Sequence, residues 1–144
     1  MKKIIIFGAT GNVGSYVHKY ACEYFKDQYE VIASGHRQTD FFEKKGQKYV
    51  SVDISRAEEF EKLPQEDVYA VIDLAAQIPS YMKGYHPEKY VQSNIMGAYN
   101  VLEYCRKVHA DRILFSTTVF DISLSATNGT VLKPDMPYNF SYKG

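Results

Sequence analysis

Lys3-Ile4-Ile5-Ile6-Phe7-Gly8-Ala9-Thr10-Gly11-Asn12-Val13-Gly14 stands at the start of the chain. A short β-branched run predicts a buried strand. The glycines that follow are spaced G-x-x-G-x-x-G, and an amphipathic helix is expected directly after them, ending at Phe25. Each glycine has a physical reason. Gly8 lets the chain turn sharply at the strand end, Gly11 lets backbone approach a ligand, and Gly14 lets the helix lie close on the sheet. The first amides of a helix have no partners within it, and the helix dipole is positive there. A strand–glycine turn–helix of this kind therefore suits a pyrophosphate.

Outward from this unit, strand and helix patterns alternate. Strands are predicted at Ile4–Phe7, Glu30–Ser34, Tyr49–Val52, Val68–Leu74 and Arg112–Ser116. Helices are predicted at Val13–Phe25, at about Asp40–Lys45, at Arg56–Lys62 and, longest, at Pro87–His109. Ser55 is expected to cap the third of these, with Glu58 closing a capping box. The alternation predicts an α/β fold, a doubly wound parallel sheet of Rossmann type. Ligands in such sheets sit at the carboxyl ends of the strands. Gly8, Ser34, Asp53, Leu74 and Ser116 all fall at those ends. Residues 1–120 are expected to carry the sheet. Residues 121–144 read as an irregular segment of the same domain, with turn signals at Asn128-Gly129, Lys133-Pro134 and Met136-Pro137. Sheets of this type usually run on beyond a fifth strand, so the domain reads as truncated there.

The composition narrows the function classes. With 144 residues, 17 basic and 17 acidic side chains and no net charge, the chain offers no electrostatic footprint for nucleic acid or an anionic membrane. Lys44, Lys45 and Lys48 read as a solvated face. Cys22 and Cys105 fall in predicted helices and read as free, buried thiols of a reducing compartment. A strand begins at residue 3, so no leader is expected, and a cytoplasmic location follows. His18, His36, His86 and His109 form no i, i+4 pair, and no metal site is expected.

Five segments in order resemble the N-terminal part of the extended short-chain dehydrogenase/reductases, the NAD(P)-dependent epimerase/dehydratase proteins that act mostly on nucleotide sugars. They are Gly8–Gly14, Val52-Asp53-Ile54, Asp73-Leu74-Ala75-Ala76, Asn94-Ile95-Met96-Gly97-Ala98-Tyr99-Asn100-Val101-Leu102-Glu103 and Leu114-Phe115-Ser116-Thr117-Thr118-Val119-Phe120. The resemblance implies that Gly8, Thr10, Gly11, Asn12, Val13 and Gly14 hold a cofactor pyrophosphate. It implies that Asp53 and Ile54 meet the adenine, and that Leu74, Ala75 and Ala76 line the adenosine ribose and phosphates through backbone atoms. Asn94 would brace the helix beside the active site. Tyr81, Tyr85 and Tyr90 fall where the family places substrate. Dimers of the family pack through the helix holding Asn94, which leaves a homodimer open here.

The choice between NAD and NADP turns on the second strand. A carboxylate about 20 residues after the glycines holds the ribose 2′-hydroxyl in NAD sites. Here the strand ends Ala33-Ser34-Gly35-His36-Arg37. An arginine suits a 2′-phosphate, which it can grip through two hydrogen bonds. The sequence therefore favours NADP, with His36 and Arg37 as its readers, and Asp40 keeps NAD open. The family's chemistry uses a Ser or Thr and then a Tyr with a Lys four residues later. Ser116 is the best match for the hydroxyl, with Thr117 and Thr118 as close competitors. No Tyr-x-x-x-Lys follows Ser116. Tyr138 has Tyr142 in the lysine position, and Tyr142 would need its lysine beyond the last residue. The expected function is thus that of an NAD(P)-dependent epimerase/dehydratase or reductase acting on a small molecule such as a nucleotide sugar, represented by a cofactor-binding part that is inactive alone. The alternative is a non-enzymatic NADP-binding module that senses redox state without the Tyr/Lys pair.

Overall fold

A computed structural model describes residues 1–78, 86–117, 129, 131 and 133–136. Five strands form one sheet: β1 (Lys3–Phe7), β2 (Glu30–Gly35), β3 (Lys48–Ser51), β4 (Val68–Asp73) and β5 (Arg112–Phe115). All pairings are parallel, in the order β3-β2-β1-β4-β5. The chain thus runs outward from β1 to β3 and returns to the other side of β1. The switch point between β1 and β4 is where a doubly wound, Rossmann-like sheet opens a crevice.

Period-two alternation along β1 builds the two core layers. Ile4 and Ile6 face α1 (Asn12–Phe25), together with Ala33 and Phe42. Ile5 and Phe7 face the opposite layer, where Phe60, Leu63, Val101, Tyr104 and Val108 cover the sheet. Phe60 and Leu63 come from the short 3-10 helix Ala57–Lys62 and its end, and Val101, Tyr104 and Val108 from a helix in three parts and its end. That three-part helix comprises α2 (Pro87–Tyr90), a π-helical segment (Val91–Met96) and α3 (Gly97–Lys107). The sequence predicts one uninterrupted helix here. A π segment shows no residue signature, because the wider turn is set by what the helix packs against.

Three further expectations are corrected. The helix about Asp40–Lys45 is only a single 3-10 turn, Glu43–Lys45, closed by Gly46 in the left-handed region. The capping box does not form: a 3-10 helix, Ala57–Lys62, starts after Arg56 without a side-chain cap. Instead the Asp53 carboxylate accepts from the Ser55 amide and hydroxyl, and Glu59, not Glu58, accepts from the Asp53 amide. A carboxylate two residues ahead of Ser55 outcompetes the helix for its hydroxyl. The two cysteines are free, but they are half-buried rather than buried.

One histidine ties stability to pH. His18 is 2% exposed in the α1 layer, edge-on to Phe42. Burial, assisted by Lys45, holds its pKa below the usual 6.5. The unfolded chain then takes up a proton below pH 6.5 while the folded chain does not. Stability is expected to fall as pH drops through 6.5 towards the depressed folded value, by at most about 1.4 kcal/mol per pH unit. Denaturant titrations between pH 7.5 and 5 on the wild type and His18→Leu check this. The variant should lose that part of the slope.

Candidate functional site at the carboxyl rim of the sheet

The strand ends are hydrogen-bonded into one rim. The Ala9 amide donates to the Ser34 carbonyl at 3.0 Å and the Val52 amide to the Gly35 carbonyl at 2.9 Å. On the other side, the Leu74 amide donates to the Phe7 carbonyl at 3.2 Å, and the Ser116 amide to the Asp73 carbonyl at the same distance. These bonds bring together the rim positions that the sequence placed at strand ends.

At the centre of the rim, Gly8 has φ +75°, and a Cβ there would lie 2.7 Å from the Leu74 carbonyl carbon. Only glycine lets the β1 end lie this close to the β4 end. A Cβ on Gly14 would fall 2.1 Å from the Gly8 carbonyl oxygen, so α1 packs directly on the turn. Gly11 is different. It precedes α1 in extended conformation and contributes no side-chain cap, and its Cβ would meet only the Gly8 carbonyl oxygen, at 3.1 Å. Gly11, Asn12 and Val13 are exposed, so the start of α1 opens towards solvent at the switch point. An uncapped helix N-terminus with no Cβ in front of it fits a pyrophosphate.

Thr10 is half-buried, with its side chain over Gly35, where a Cβ would lie 2.9 Å from Thr10 Oγ1. His36 and Arg37 follow at the surface. Asp40 is exposed and paired with Lys44 at 2.6 Å. On the adenine side, Asp53 Oδ1 is engaged by Ser55, while Oδ2 lies 3.9 Å from the Arg56 Nε at a half-exposed position. Ile54 turns inward instead: it is 8% exposed, and its side chain fills the space left by Gly97. Its carbonyl accepts from the Asn100 side-chain amide at 2.8 Å. Asn100 is buried and pins α3 to this loop. The sequence carried the signal, in the second asparagine of the 94–103 segment, but assigned it no role.

After β4, Leu74 and Ala75 are half-buried and Ala76 is exposed. The Ala75 amide donates to Asp73 Oδ1 at 3.0 Å, and burial pushes the Asp73 carboxyl above its usual range. Asn94 lies in the π segment and clamps the loop from both sides: Oδ1 accepts from the Gln77 amide at 2.8 Å and Nδ2 donates to the Gln77 carbonyl at 2.9 Å. It braces the helix against the loop after β4. Ser116 and Thr117 are exposed at the end of β5, where the Ser116 hydroxyl donates to the Asp73 carbonyl at 3.4 Å. Thr118, Tyr81, Tyr85, Tyr138 and Tyr142 lie outside the described residues. One spacing escaped the sequence reading. Tyr85 and Lys89 are four apart, but they precede Ser116, and Pro87 between them begins α2. Among the described residues no group of three His, Cys, Asp or Glu could hold a metal ion, and no helix is long and apolar enough to cross a membrane.

A parallel sheet in this strand order, with a glycine turn and an open helix start at its switch point, defines a Rossmann-like α/β protein. The chain belongs to the NAD dependent epimerase/dehydratase family, whose sequence model matches residues 4–141. It is 30% identical over 117 residues to a protein of Methanocaldococcus jannaschii described as a putative UDP-glucose 4-epimerase, covering 80% of this chain and 37% of that one. Among solved structures, a UDP-galactose 4-epimerase superposes with TM-score 0.75 at 18% identity, covering 95% of this chain and 44% of that one. The Thermus thermophilus UDP-glucose 4-epimerase in complex with NAD superposes with TM-score 0.72 at 23% identity, with the same two coverages. The chain thus spans about two-fifths of the length of the relatives it matches.

Proposed function

We propose that the rim binds a nicotinamide dinucleotide, NADP in preference to NAD, and that the chain is the cofactor-binding part of an epimerase/dehydratase or reductase acting on a nucleotide sugar. The carrying observation is the open start of α1 at the β1/β4 switch point, ringed by the hydrogen-bonded strand ends. In this reading Gly8–Gly14 hold the pyrophosphate, Asp53 accepts from the adenine amino group, and the 74–76 backbone lines the ribose and phosphates. Bound nicotinamide supplies hydride exchange with a substrate carbon. In this reading the Ser116 hydroxyl, at the far end of the rim, hydrogen-bonds the reacting oxygen, with Thr117 beside it.

Gly35 supports the NADP preference. A Cβ at that position would lie 2.9 Å from Thr10 Oγ1, so a carboxylate side chain there would have to displace the Thr10 side chain. Asp40 is engaged by Lys44. His36 and Arg37, both exposed, are the nearest cationic candidates. Calorimetric titration with NADP and NAD tests the reading. NADP should bind more tightly, and Arg37→Ala should weaken it about tenfold, the worth of about 1.4 kcal/mol. No binding of either dinucleotide would overturn the proposal.

No Tyr-x-x-x-Lys follows Ser116 in this sequence, so the chain by itself should bind without turnover. Tyr138, which has Tyr142 where the lysine would stand, favours a second reading, an NADP-binding module that senses redox state without catalysis. Adding the Tyr/Lys-bearing part of a relative in trans separates the two readings. Turnover supports the enzyme, and dinucleotide binding without turnover supports the sensor.

The long helix also leaves an apolar stripe exposed. Val91, Ile95, Met96, Tyr99 and Leu102 recur at helical spacing along its outer face. This stripe supports a homodimer formed through that helix. Sedimentation should show a dimer that Ile95→Glu converts to monomer, and a wild type that is monomeric at every concentration would refute it.

A further inference from the structure

Among the described residues, the Tyr49 hydroxyl grips the turn that follows β2 and carries Arg37. Tyr49 stands on β3 opposite Ala33, with its ring flat on Phe42 (centroids 5.0 Å apart, planes 3° apart). Phe42 is itself buried, so the ring has a fixed seat. From there the Tyr49 hydroxyl reaches past the strand end. It lies within hydrogen-bond reach of two carbonyls, 2.9 Å from that of Gly35 and also against that of Arg37. A phenol carries one proton, so the two carbonyls share it. Burial raises the phenol pKa, which keeps that proton in place at neutral pH. On the other side of the turn, a Cβ on Gly35 would lie 2.9 Å from Thr10 Oγ1 and 3.5 Å from the Tyr49 hydroxyl oxygen. The glycine turn, the β2 end and Tyr49 therefore pack as one unit.

We propose that Tyr49 is a positioning residue that sets the site's discrimination at the adenosine 2′ position, by fixing the Gly35–Arg37 turn so that Arg37 is held at the rim for a 2′-phosphate. The inference rests on the dinucleotide reading above. Its physical basis is preorganisation. A turn clamped at two carbonyls leaves no backbone to be ordered on binding, so only the Arg37 side chain has still to settle on the phosphate. Without the hydroxyl, a 2′-phosphate must order the turn itself, whereas a 2′-hydroxyl makes no use of Arg37 and bears no such cost.

Tyr49→Phe keeps the ring on Phe42 and removes only the hydroxyl. It should lower the ratio of NADP to NAD affinity about fivefold, the worth of one hydrogen bond. Adenosine 2′,5′-bisphosphate against 5′-AMP should show the same loss of ratio, which locates the effect at the 2′ position. In an Arg37→Ala background the same substitution should change the ratio less than about twofold, since the positioned group is gone. Titrations in the cold keep the comparison available if Tyr49→Phe melts too low at room temperature. An equal weakening of both dinucleotides would make Tyr49 merely structural and overturn the proposal, and so would an unaltered ratio. If the wild type binds neither dinucleotide, the functional reading itself fails, an outcome distinct from a wild type that binds and a variant that discriminates as well.

Discussion

Gly14→Ala is expected to lower the unfolding free energy by about 3 kcal/mol or more, at the upper end of what overpacking a close contact costs. A Cβ at position 14 would sit 2.1 Å from the Gly8 carbonyl oxygen, 2.7 Å from the Gly8 carbonyl carbon and 2.9 Å from Ala9 Cα. All three are backbone atoms, and none can swing aside as a side-chain tip could. Gly8 has little room to retreat towards β4, because the space beside it is so narrow that a Cβ there would lie 2.7 Å from the Leu74 carbonyl carbon. Relief must therefore come from lifting α1 off β1, which uncovers Ile4, Ile6 and Ala9. Thermal and denaturant melts of the variant check this. A loss below about 1 kcal/mol, within the range of ordinary surface changes, would mean that the helix rides higher on the turn than described.

Gly11→Ala should do the reverse, leaving the fold nearly intact while reducing dinucleotide affinity about tenfold or more. Gly11 has φ −85° and ψ 174°, extended backbone that alanine adopts freely. The added methyl would meet only the Gly8 carbonyl oxygen, at 3.1 Å, a contact relieved by a shift of a few tenths of an ångström. Its cost would appear when a phosphate approaches the first amides of α1, because the methyl would stand in the path of the anion. Circular dichroism and melting establish the fold, and titration with NADP reads the affinity. The two glycines thus separate structure from function within one motif. If Gly11→Ala binds NADP as the wild type does, the phosphate does not sit on this turn.

Much of the site was legible because its signals are local. The turn at Gly8 and the helix start at Gly11–Gly14 each depend on backbone geometry within a few residues, which residue type reports directly. The strand ends at Ser34, Asp53 and Leu74 were legible for a related reason: apolar runs stop where the chain leaves the sheet. Contacts between distant segments were not legible. Asn94 grips Gln77 across 17 residues and Asn100 grips Ile54 across 46, and nothing local marks either asparagine as buried or bridging. Ile54 shows the same limit in the other direction. The resemblance put Ile54 with Asp53 at the adenine, and only the fold shows that its side chain fills the space that Gly97 leaves in the core.

By itself, then, the sequence determined the strand–turn–helix order, the parallel sheet that such alternation requires, and the absence of an acid at the end of β2. Hydrophobic period and glycine placement act over a few residues and need no partner to be read. The tertiary structure alone decided that a side chain at Gly35 would press on Thr10, that Tyr49 clamps the turn carrying Arg37, and that the helix holding Asn94 widens into a π turn. Each of these is a packing contact between elements far apart in the chain, and such contacts exist only once the sheet has brought the elements together.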